Sequence, residues 1–169
     1  MKNAHPSVSG ESKNVGKVFS PGSSAEHYQE ECVINENWQE SHLANIMIVR
    51  PVGSGFTVAG FLVDLWGVGL KDVFLHNRVS LGSLDRVMTQ FAKDITWVEC
   101  SLPLAQELVY GGLAWARKHG FKIPPDAMRC LEILPPPAKE PSLSRFGQKD
   151  ARPVIIGGLR EMLRLFGRR

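Results

Sequence analysis

A chain of 169 residues, 43% hydrophobic and 22% charged, has the size and composition of one globular domain rather than two. A membrane-spanning helix is excluded because no run of about 18 apolar residues occurs; the longest apolar stretch, Phe56 to Leu70, is interrupted by Asp64. The net charge of +3 conceals an uneven distribution, with +2 on residues 1–25, −4 on residues 26–134 and +5 on residues 135–169. Attraction to a polyanion therefore resides in the ends and not in the body.

Residues 1–25 are rich in Ser, Gly, Asn and Lys and poor in large apolar side chains. They cannot offset the entropy of ordering and read as a disordered basic segment. Their opening, MKNAHPSVSGESKN, lacks the apolar centre of a secretory signal. Cys32, Cys100 and Cys130 are widely separated, and their spacing fits neither a disulfide framework nor a zinc site. The expectation is a cytoplasmic protein whose thiols are reduced and packed as small apolar groups.

The globular core is expected over residues 26–134. Glu31 to Asn35 is a short candidate strand. Ala44 to Val52, rich in Ile and Val, is a second. Gly53-Ser54-Gly55 supplies a hairpin turn, and Phe56 to Trp66 is the return strand. Lys71 to His76 is a further extended piece. Ser83 suits the cap of a helix running to about Lys93, with Leu84, Val87, Met88 and Phe91 on one face. Ile95 to Cys100 reads as another strand. Ser101 then caps a longer helix that tolerates Pro103 in its first turn and ends at Gly120. Ala105, Leu108, Val109, Gly112, Leu113 and Ala116 form its apolar face. A short helix is expected from about Pro125-Asp126 to Leu134. The sum is an α+β (or α/β) fold, a small antiparallel or mixed sheet with helices packed on one face. Residues 135–153, with five prolines, read as a linker to a basic amphipathic helix at 154–169.

Several short stretches carry a family likeness. They are Phe61-Leu62-Val63-Asp64, then Gly69-Leu70-Lys71-Asp72, then Tyr110-Gly111, Ala116 and Gly120-Phe121. The pattern resembles an uncharacterised bacterial family whose core reads FLVD, four residues, GVKD, and later YG, A and GF before a turn containing Pro, His and Asp. The likeness spans about residues 31–134. It implies a shared fold and little chemistry. Where that family often has Tyr-Cys this chain has Trp66-Gly67, and where its later turn often holds a histidine this chain reads Lys122-Ile123-Pro124-Pro125-Asp126. A role resting on that thiol or imidazole does not carry over.

Asp64 is the most informative residue for chemistry, because a carboxylate in an apolar strand is costly to bury unless paired. Asp64, Asp72 and Glu99 are candidate ligands for magnesium or manganese, whose preference for hard oxygen donors they suit. Two such ions activate water for phosphodiester cleavage. Against this, no lysine lies two residues after Glu99, where Cys100 and Ser101 follow. The plainer reading pairs Asp64 with Lys71 or turns it to solvent. The Gly67-Val68-Gly69 bend lacks the lysine and hydroxyl of a phosphate-binding loop and reads as a tight turn or bulge. No spacing supports a thiol–imidazole nucleophile among Cys32, Cys100 and Cys130 with His27, His42, His76 and His119. Trp38, Trp66, Trp97 and Trp115 fall in four separate elements and read as packing residues.

In residues 154–169, Leu159, Met162, Leu163 and Phe166 share a helical face, and Arg160, Arg164, Arg168 and Arg169 project elsewhere. So short a helix is marginal alone in water. It forms on a partner groove, an anionic membrane, a nucleic acid or its own domain. The leading expectation is a non-catalytic module associated with RNA or DNA, or with an assembly, through its basic ends. Two alternatives stay open. One is a magnesium- or manganese-dependent nuclease built on Asp64, Asp72 and Glu99, with Lys71 beside them. The other is a subunit of a larger protein complex that docks through Leu163 and Phe166. No cofactor is expected outside the nuclease reading.

Overall fold

In a computed structural model the described residues are 30–91 and 94–147. The strand-forming first half of this span folds into β1 (Glu31–Asn35), β2 (Leu43–Val52), β3 (Gly55–Asp64) and β4 (Gly69–Val79), and a fifth strand, β5 (Trp97–Glu99), follows. All pairings are antiparallel and the order is β4-β3-β2-β1-β5. The β2–β3 hairpin pairs without a break from Leu43↔Asp64 to Val52↔Gly55. Its two-residue turn places Gly53 at φ 59°, a left-handed value at the first turn position that suits a type II′ hairpin.

Four helices complete the described residues: α1 (Trp38–Ser41), α2 (Leu81–Phe91), α3 (Leu102–His119) and α4 (Ala127–Cys130). They do not share one face of the sheet, as the sequence reading expects. On one face Ile34, Ile46, Ile48, Phe61 and Val63 pack with Leu108, Val109 and Leu113 of α3 and Ala127 of α4. On the other, Val33, Met47, Val58, Leu62 and Phe74 pack with Leu84 and Met88 of α2. The reason lies in β2 and β3, which are apolar at successive rather than alternate positions and so need cover on both sides. The outcome is an α+β architecture with the sheet between helices.

The helix ends follow local chemistry. Ser101 Oγ accepts the Leu104 N–H at 3.3 Å, with Pro103 in the first turn. Arg117, Lys118 and His119 occupy the last turn of α3, where cations suit the helix dipole. In α2 the capping residue is Ser80 and not Ser83: the Ser83 N–H donates to Ser80 Oγ at 3.3 Å, and the Leu84 N–H to the Ser80 carbonyl at 2.9 Å. Leu81 and Gly82 thus belong to the helix.

The stretch expected to begin a linker at Pro135 lies against the domain as far as Gly147. Tyr110 Oη donates to the Leu134 carbonyl at 2.8 Å, and Gln106 Nε2 to the Pro135 carbonyl at 2.9 Å. Arg145 meets Glu107 at 2.9 Å. Phe146 is 5% exposed in the α3-side core, and the Gly147 N–H donates to the Leu65 carbonyl at 2.8 Å. Leu143 and Phe146 are the anchors that a proline count overlooks. The segments 1–25 and 154–169 lie outside the described residues.

Candidate functional site

Asp64 ends β3 and starts the turn to β4. It is 3% exposed. Its Oδ1 accepts the Gly67 N–H at 2.8 Å, and its Oδ2 lies 3.9 Å from Lys71 Nζ with no hydrogen bond among the described residues. The carboxylate therefore closes the turn through one oxygen and faces a cation through the other. The neighbouring backbone is tied at two further points. The Leu65 N–H donates to the His42 carbonyl at 2.9 Å, and Trp115 Nε1 donates to the Gly67 carbonyl at 3.0 Å. The rings of His42 and Trp66 stack with centroids 3.2 Å apart.

The motif glycines belong to the same assembly. Gly69 has φ +77°, and a Cβ there collides with the Gly112 carbonyl. A Cβ on Gly112 lies 2.9 Å from Val63 Cγ1 and 3.0 Å from the Leu70 nitrogen. Helix α3 thus meets the start of β4 backbone to backbone. The extra residue Lys71, between pairs Leu62↔Asp72 and Val63↔Leu70, forms a bulge where β4 begins. FLVD, G-x-K-D and YGG are three sides of one packed joint. The Gly67-Val68-Gly69 bend is its turn.

The three candidate acids do not meet. Asp64 and Asp72 lie on β3 and β4, whereas Glu99 is on β5 at the opposite edge of the sheet, exposed to solvent. Three strand spacings separate β3 from β5, about 14 Å, and four separate β4 from β5, about 19 Å. Asp72 Oδ1 accepts the N–H of its own neighbour Val73 at 2.9 Å. Among the described residues no group of three or more His, Cys, Asp or Glu side chains is placed to hold a metal ion. Lys71 faces Asp64 in an ion pair. Trp38 and Trp97 are buried, and Trp66 and Trp115 pack half-buried against the core. Arg160, Arg164, Arg168, Arg169, Leu163 and Phe166 lie outside the described residues.

Two features have no counterpart in the sequence reading. The first is Glu31 on β1, whose carboxyl is pushed up from the usual 4.5 to about 7, first by burial and then by the charge of Glu99. Its Oε2 has no hydrogen-bond partner among the described residues. The second is the meeting of Cys32 with Cys100, both buried and both free thiols. Strand register brings each pair together across β1 and β5, and register between segments so far apart leaves no mark on spacing. Among the described residues no helix is long and apolar enough to cross a membrane. No family model, curated protein or solved structure matches the chain.

Proposed function

We propose that the chain is a non-catalytic nucleic-acid-associated module, a rigid acidic α+β body that carries basic terminal segments. The observation behind this reading is the charge division, −3 on residues 26–147 against +2 on residues 1–25 and +4 on residues 148–169. The polar groups most suggestive of chemistry are engaged in building the joint between α3 and the β3–β4 turn, which supports a scaffold role for the body. Arg160, Arg164, Arg168 and Arg169 supply four positive charges against Glu161. Arginine suits bidentate contacts to phosphate.

Titration of labelled single-stranded RNA and duplex DNA tests the proposal. Binding is expected to weaken steeply with salt, and changing all four arginines to glutamine is expected to reduce the salt slope by about 0.7–0.9 per lost phosphate contact. The melting of the body is expected to stay unchanged. Absence of binding at low salt, where attraction is least screened, overturns the reading. Loss of a protein partner on Leu163→Asp or Phe166→Asp, with the glutamine variant still bound, replaces it with docking into a protein complex.

A further inference from the structure

The β1–β5 ladder runs Val33↔Glu99, Ile34↔Val98 and Asn35↔Trp97. One step further, Cys32 stands opposite Cys100, and the Cys100 N–H donates to the Cys32 carbonyl at 2.9 Å. Both side chains join the α3-side core, at 7% and 4% exposure. Opposed residues at a hydrogen-bonded position have Cα atoms about 5.5 Å apart, within the span of a disulfide. We propose that Cys32 and Cys100 form a reversible dithiol–disulfide site, oxidised by a small disulfide of the glutathione class and reduced again by thiols.

Cys100 is the attacking group. It immediately precedes Ser101, the cap of α3, so its sulfur lies at the positive end of a helix. The neighbouring Cys32 side chain, opposed by burial and helped by the Ala105 backbone, holds the Cys100 thiol below its ordinary value, and that thiol points to the Ser101 carbonyl at 3.5 Å. The Cys100 side chain and burial push Cys32 up. In the first step the Cys100 thiolate attacks one sulfur of the small disulfide. A bond forms between Cys100 Sγ and that sulfur, and the other half leaves as a thiolate that takes up the proton Cys100 lost. In the second step Cys32, deprotonated, attacks Cys100 Sγ. The protein disulfide forms, and the second small thiolate departs with the Cys32 proton. Two protein thiols are oxidised, and one small disulfide is reduced to two thiols.

Access comes from the edge. Strand β5 has three residues and pairs with β1 alone, so it is the part of the sheet that opens at least cost. Cβ atoms at a hydrogen-bonded position stand somewhat wider than the ~3.8 Å of a disulfide. Closure therefore draws β5 toward β1, and the resulting bond is strained and easily reduced. Cys130 is an internal control. It is fully buried, and burial with Asp126 nearby pushes its thiol up to about 11.

The test uses the full chain, folded and reduced, incubated with oxidised glutathione, blocked with iodoacetamide and mapped by mass spectrometry. The expected product joins the Cys32 and Cys100 peptides, leaves Cys130 alkylated only after unfolding, and returns to three thiols with dithiothreitol. Before oxidation Cys100 is expected to react with iodoacetamide at least about tenfold faster than Cys130. Cys32→Ser is expected to trap a glutathione adduct on Cys100. The wild-type map decides the matter even if that variant does not fold. A folded wild type that gives no Cys32–Cys100 linkage, or a linkage through Cys130, or one formed only in urea, overturns the proposal.

Discussion

Replacing Gly69 with alanine puts a methyl group against the Gly112 carbonyl in a backbone conformation that L side chains rarely adopt. Gly112→Ala presses on Val63 and the Leu70 nitrogen. Each change is expected to cost about 1–3 kcal/mol, read by urea denaturation. Gly82→Ala, with nothing within 4 Å of the new methyl and a position inside α2, is expected to gain up to about 1 kcal/mol. Equal stability of the three variants would contradict the backbone contact. Glu31 gives a pH signature. Its folded value, about 7, lies above the unfolded 4.5, so folding favours its protonated form. That contribution is complete below about pH 4.5 and is lost as pH rises through 7. His76 acts in the opposite sense, since burial lowers its value and its contribution fades as pH falls. Glu31→Gln is expected to remove the loss of stability between pH 4.5 and 7 while leaving the His76 slope. A melting-temperature profile unchanged by Glu31→Gln counts against this account.

Among the elements, α3 is legible from sequence end to end. Ser101, Pro103, Gly120 and the apolar series from Ala105 to Ala116 sit where cap, first turn, stop and buried face require them. The β2–β3 hairpin is equally plain, because a glycine turn divides two strand-forming runs. The boundary of α2 is harder, because Ser80 and Ser83 both suit a cap and Leu81 and Gly82 argue for neither. Ser80→Ala is expected to cost about 1 kcal/mol by thermal or urea melting, with a smaller loss for Ser83→Ala. The reverse order would restore Ser83 as the cap. Layering was written in ANIMIV and AGFLV, whose unbroken apolar runs call for two covered faces. Nothing local in Asp64, Asp72 and Glu99 tells how many strands separate them, because β5 reaches its place beside β1 only through the crossover after β4. The meeting of Cys32 with Cys100 is hidden for the same reason.

For the molecule as a whole, the folded unit extends past the three prolines to Gly147. Phe146→Ala is expected to cost about 3 kcal/mol, since the ring is buried beside Trp115. A chain ending at 134 is expected to melt below one ending at 147. Identical melting would return the boundary to the prolines. The arrangement also has a consequence during synthesis. Strands β1 to β4 are complete by Val79, and the short links between them let them pair as they emerge. The helix α3, the α4 turn and Phe146, which cover one face, all come later in the chain. At roughly 5–20 residues per second, the nascent sheet waits several seconds for its cover. Ile46, Ile48, Phe61 and Val63 form a bare sticky surface during that wait. A body that ends up well buried on both sides thus passes through its most aggregation-prone state on the ribosome, and slowing elongation after Val79 lengthens that exposure.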